Sequence, residues 1–97
     1  MLYLSIGFTG TQIGLSPEQT ICLDRLLTKY YNKYWEVSNG LEFHHGDCIG
    51  GDEQFHANVI QLIGIDHQER INVHPPEDNK KRAYCQGTIW PEKDYIP

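Results

Sequence analysis

Twice along this chain a run of alternating residues breaks at a glycine loop and resumes with the spacing of a helix. Leu2, Leu4, Ile6 and Phe8 alternate with Tyr3, Ser5 and Gly7 and then meet Thr9-Gly10-Thr11. Leu41, Phe43 and His45 alternate with Glu42 and His44 and then meet Gly46. A period of two is that of a strand, whose side chains point to opposite faces in turn. After the first loop, Ser16-Pro17-Glu18-Gln19 spells a helix start: Ser at the N-cap, Pro at the first helical position, and Gln three residues on to complete a capping box. Leu23, Leu26, Leu27, Tyr30, Tyr31 and Tyr34 follow on one helical face, and Asn39-Gly40 supplies a stop. After the second loop, Phe55, Val59, Leu62 and Ile63 keep helical spacing as far as Gly64, so a second helix begins at about Asp52. Ile71 to His74, closed by Pro75-Pro76, reads as a third strand.

Strand, helix, strand, helix, strand in that order implies right-handed crossovers and a parallel sheet flanked by helices: a small Rossmann-like α/β fold. Ligands bind such sheets beyond the carboxyl ends of the strands. Both glycine loops, Gly7 to Gly14 and Gly46 to Gly51, fall at that edge. With 97 residues the chain has material for one core, so residues 1–97 are read as a single domain. From Glu77 the pattern weakens into an irregular tail, 77–97, that holds Lys80-Lys81-Arg82, Tyr84, Trp90 and Tyr95.

Charge and cysteines narrow the classes. A net charge of −5 argues against a nucleic-acid binder, which needs a surplus of Lys and Arg facing phosphates. Cys22, Cys48 and Cys85 cannot all pair within one chain and none lies in a CxxC spacing, so reduced thiols in a cytoplasm are expected. MLYLSIGF has no basic leader, and no run approaches the length of a membrane span.

The stretch HHGDCIGGDEQFH, residues 44–56, has a composition that points to metal and an order that points to phosphate. His44 and His45 are adjacent, so on a strand they face opposite ways and cannot easily share an ion. Asp52 and His56 do share a helix face, yet no second pair with zinc spacing accompanies them, and no metal site is assigned. Gly46, Gly50 and Gly51 instead clear side chains from a helix N-terminus, where free N–H groups and the helix dipole favour an anion. Alternatively, the glycines only permit a tight turn. Cys48 reads either as a thiol activated by the helix end or as an inert one.

GFTGTQ at 7–12 and FHHGDCIGGDEQFH at 43–56, followed by INVHPP and KKRAYC, resemble the SLOG superfamily, in its branch of DprA-like and YspA/YpsA-related proteins. The similarity covers most of residues 1–85. It implies a pocket for a nucleotide or an ADP-ribose-like molecule over the loops, with no further cofactor. Thr9, Gly10 and Thr11 would line one side and Gly46, Asp47, Gly50, Gly51 and Asp52 the other. Asp47 and Asp52 would accept from ribose hydroxyls, though Asp52 serves equally as a helix cap. Lys81 and Arg82, with Lys80, would reach phosphates, or simply be a solvated surface run. Tyr84 or Trp90 would stack on a base or pack in the core.

Two departures from the family matter. The phosphoribohydrolase relatives carry a PGGxGTxxE pattern with a reacting glutamate, which is missing here, and Glu53 is out of register. Longer relatives also continue with further strands, so this sheet is expected to be truncated, with edges that a homo-oligomer would cover. The expected function is binding of a nucleotide-derived small molecule without turnover. By analogy with phage proteins of this kind, this would be a viral protein in the host cytoplasm that sequesters a defence signal. The alternative is an N-glycoside hydrolase using Asp47, Asp52 or Glu53.

Overall fold

The computed structural model describes residues 2–36 and 38–89. The elements run β1 (Leu2–Phe8), α1 (Pro17–Tyr34), β2 (Ser38–His45), α2 (Gly51–Ile63), a 3₁₀ stretch (Ile65–Arg70), β3 (Ile71–Val73), a 3₁₀ turn (Asn79–Lys81) and β4 (Thr88–Ile89). The four strands lie in the order β1-β2-β3-β4, each parallel to its neighbour. The chain is thus a small Rossmann-like α/β fold, as its alternating pattern implies.

The capping box forms as the sequence dictates. Gln19 N–H donates to Ser16 Oγ at 3.1 Å, and Ser16 N–H donates to Gln19 Oε1 at 2.9 Å. The expected stop at Asn39-Gly40 does not hold: α1 ends at Tyr34, and both residues lie in β2, where Gly40 pairs with Tyr3. Ladder hydrogen bonds at a strand start outweigh a local turn preference. The second helix likewise starts at Gly51 with Gly50 as its N-cap, so Asp52 sits inside the first turn and is not the cap. In the tail, the two-residue β4 extends the sheet; Trp90 and Tyr95 lie outside the described residues.

A strand order that never reverses carries right-handed crossovers to one face of the sheet. Both long helices therefore pack there. Leu41 and Phe43 of β2 and Ile71 and Val73 of β3 form one cluster with Leu27 of α1 and Phe55, Val59 and Ile63 of α2. Phe8 stacks on Phe55, with ring centroids 4.7 Å apart, and ties β1 to α2. The register sets His44 opposite Asn72 and His45 opposite Val73. By alternation the second face then carries Ser5, Gly7, Glu42, His44, Asn72 and His74. None of these is a large apolar residue, so among these positions the face is polar where parallel sheets are usually apolar on both sides. Among the described residues no helix is long and apolar enough to cross a membrane.

Candidate ligand-binding site

The two glycine loops meet at the carboxyl edge, backbone against backbone. Gly51 N–H donates to Thr11 O at 2.8 Å. A Cβ on Gly51 would stand 2.7 Å from Gly10 Cα, and one on Gly50 would be 2.6 Å from Thr11 O. Real Cβ atoms do not approach so closely, so these glycines are required by the contact between loops. Asp52 completes the join: its Oδ1 accepts from Gly10 N–H at 3.0 Å and its Oδ2 from Cys48 N–H at 3.2 Å. Both oxygens of this buried carboxylate are committed to backbone. The expected anion cradle is thus partly filled by the protein's own Thr11 carbonyl and Asp52 carboxylate.

Asp47 does the same for the tail. It is fully buried and adopts a left-handed backbone with φ 57°, a region few non-glycine residues enter. Its Oδ2 accepts from Arg82 Nε at 2.7 Å and its Oδ1 from Cys85 N–H at 2.8 Å. Backbone bonds from Ile49 N–H to Lys81 O and from Ala83 N–H to Asp47 O extend the join. Segment 80–85 is thereby a strap laid antiparallel along the second loop. Arg82 neutralises Asp47 and also lies over the ring of exposed Tyr84, 4.4 Å from its centroid, while Lys80 and Lys81 are exposed.

Adjacent histidines point to opposite faces, as the strand alternation requires. His45, on the helix side, is buried; its Nδ1 accepts from Asp47 N–H at 2.9 Å and its Nε2 is 2.9 Å from His56 Nδ1. An amide N–H can only donate, so the neutral His45 ring carries its proton on Nε2 and donates to His56. Burial, reinforced by His56, lowers the His45 pKa from 6.5 to about 4. Cys85 Sγ lies within 4.8 Å of both rings, and its thiol is pushed up to about 12 by burial and by Asp47. The trio has the donor types of a zinc site. Ligation through His45 Nε2 would require that nitrogen to shed its proton while Nδ1 already accepts, which opposes a metal there.

His44 faces the polar side. Its Nδ1 lies 2.9 Å from His74 Nε2, the two rings stack with centroids 5.2 Å apart, and Glu42 Oε2 is 3.7 Å from its Nε2. Burial and then His44 lower the pKa of His74. These histidines border a cavity of about 420 Å³ at the carboxyl ends of β1, β2 and β3, with Thr9, Gly46, Cys48 and Pro75-Pro76 on its walls. Burial and the Asp52 carboxylate raise the Cys48 pKa, which keeps it a thiol.

Of the residues proposed from sequence, Thr9 and Gly46 line this cavity. Gly10, Thr11, Gly50, Gly51 and Asp52 build the loop junction, of which Gly10 and Thr11 line a separate groove between β1 and α1, and Asp47 and Arg82 anchor the strap. Lys81 contributes its backbone carbonyl to the strap. The His44–His74 pair was not anticipated. Matching the apolar faces of the two strands, Phe43 and His45 against Ile71 and Val73, would have placed His44 and His74 together on the other face.

No protein-family model matches the chain, and neither a curated protein nor a solved structure is similar enough to it to count as a match.

Proposed function

We propose that the protein binds a nucleotide-derived small molecule at the carboxyl edge of its sheet and releases it unchanged. The observation that carries this reading is the cavity of about 420 Å³ where three parallel strands end, bordered by a paired imidazole, a threonine and a side-chain-free glycine. The Thr9 hydroxyl suits phosphate and ribose oxygens, the stacked imidazoles give a polar wall, and Phe8, Pro75 and Pro76 offer apolar wall for a base. An anionic group beside His74 would compensate the burial that disfavours its charged form.

Turnover needs a carboxylate at the scissile bond, and among the described residues none lines this cavity. Asp47 and Asp52 are buried with both oxygens engaged, and Glu53 is exposed on α2. Binding without hydrolysis is therefore favoured over an N-glycosidase. The SLOG resemblance in GFTGTQ and HHGDCIGGD supports a nucleotide as the ligand class, and it carries the further proposal that a viral protein of this type withholds a nucleotide signal from its host.

The test is to incubate the protein with nucleotides, NAD and linear and cyclic ADP-ribose derivatives, remove unbound material, denature it and identify what is released by mass spectrometry. One intact molecule, lost in a folded His74→Phe variant, is expected. A free base together with a ribose phosphate would replace binding by hydrolysis, and no release from any of the panel would remove the site.

A further inference from the structure

The cavity beside His44 and His74 carries no fixed charge: among the described residues no Lys, Arg, Asp or Glu lines it. Of the ionisable groups on its walls, His45 stays unprotonated down to about pH 4 through burial, and Cys48 is kept a thiol by burial and Asp52. Just outside, carboxylates stand close. A Cβ on Gly46 would lie 3.0 Å from Asp52 Oδ2, so that carboxylate is directly behind the wall. Glu42 Oε2 is 3.7 Å from His44 Nε2. The Arg82 guanidinium is committed to Asp47.

The histidine pair is therefore the means by which the described walls can meet an anion, and geometry sets its capacity. His44 Nδ1 and His74 Nε2 face each other at 2.9 Å, a separation that holds one hydrogen and not two. Of the pair's ring nitrogens, all but one at most carry protons, so the pair titrates as a unit between neutral and a single positive charge. One negative charge on a ligand is matched by one proton. A second would enter a site with no further cation and two carboxylates nearby, where an uncompensated charge is costly. At about 420 Å³ the cavity lies near the lower end of the range for small-molecule sites, about 300–1,000 Å³, which suits one nucleoside unit rather than two.

We infer that the cavity selects its ligand by charge: it takes a nucleoside whose phosphate is a diester, with one negative charge, over the phosphomonoester or polyphosphate of the same nucleoside, and His44 with His74 sets that limit. The inference rests on the ligand reading above and names the ligand class.

Isothermal titration with the common ribonucleosides, each as its monophosphate, its triphosphate and the methyl ester of its monophosphate, tests it. At pH 8 the monoester is a dianion that regains a proton with a pKa of about 6, while the methyl ester keeps one charge throughout. The methyl ester of one nucleoside is expected to bind at least about tenfold tighter than its monoester at pH 8, and the ratio to fall to about threefold or less at pH 5.5. His44→Lys, with its fold checked by circular dichroism, supplies a fixed charge and is expected to bring the ratio at pH 8 to about threefold or less. A monoester or triphosphate bound as tightly as the diester at pH 8 would overturn the charge limit and leave the site standing. A diester preference unmoved by both pH 5.5 and His44→Lys would overturn the role of the pair. No binding by any probe would overturn the charge limit and the ligand reading together.

Discussion

Gly10 and Gly51 stand Cα against Cα across the two loops, so close that a Cβ on either would lie 2.7 Å from the Cα of the other. Their lack of side chains serves the loop junction first. Gly10→Ala and Gly51→Ala are each expected to cost about 2 kcal/mol in urea unfolding, because backbone must move to admit the methyl. Gly7, with open space where its Cβ would go, is the control: Gly7→Ala is expected to stabilise by about 0.5 kcal/mol. Equal costs at all three positions would contradict the junction.

The Asp47–Arg82 pair joins a wholly buried carboxylate to a guanidinium at 2.7 Å. Removing either partner leaves the other uncompensated, so Arg82→Ala and Asp47→Ala are each expected to lose about 3 kcal/mol. In a double-mutant cycle the two losses are expected to sum to clearly more than the loss in the double variant. Additive losses would mean that the pair does not act as a unit.

Acid is expected to weaken the fold through its buried imidazoles. Below pH 6.5 a histidine of the unfolded chain takes up a proton that His45 refuses until about pH 4, so stability falls as pH drops through that interval and levels off beneath it. His45 accounts for roughly 3 kcal/mol of this loss, with His56 and His74 shifted in the same direction. His45→Asn, which keeps a side-chain acceptor near Asp47 N–H but cannot titrate, is expected to flatten the slope of unfolding free energy against pH. An unchanged slope would assign the effect to other groups.

At the cavity, His44→Leu is expected to reduce ligand affinity at least about tenfold, with circular dichroism unchanged, since His44 is only half-buried on the polar face. Isothermal titration with the ligand recovered from the release experiment measures it. Retained affinity would move the binding site away from the histidine pair.

Where local pattern decided structure, the sequence was readable. The Ser16–Gln19 capping box, the alternation that sends His44 and His45 opposite ways, and the parallel α/β order all follow from short-range spacing. The partners of Asp47 did not, because Arg82 and Cys85 are 35 and 38 residues distant, in a tail without periodicity. Asp52 misled for a related reason. An acidic residue at a helix start is ordinarily a cap, and only the loop from β1, 42 residues away, gives its carboxylate Gly10 N–H to hold. Asn39-Gly40 has the chemistry of a turn, yet pairing with β1 makes it strand, so β2 starts earlier than its alternation implies.

The strap gives the molecule a part that can open by itself. The Asp47 clasp spans 35 and 38 residues, no farther than the 42 between Gly10 and Asp52, but it is held by hydrogen bonds at the surface end of the sheet and not by the apolar core. Without residues 82–85 the Asp47 carboxylate loses both of its partners, and only the bond from its N–H to His45 Nδ1 holds the left-handed turn. The clasp is therefore expected to open before the core does, and amide exchange at Ala83 and Cys85 would sense that opening before the sheet gives way.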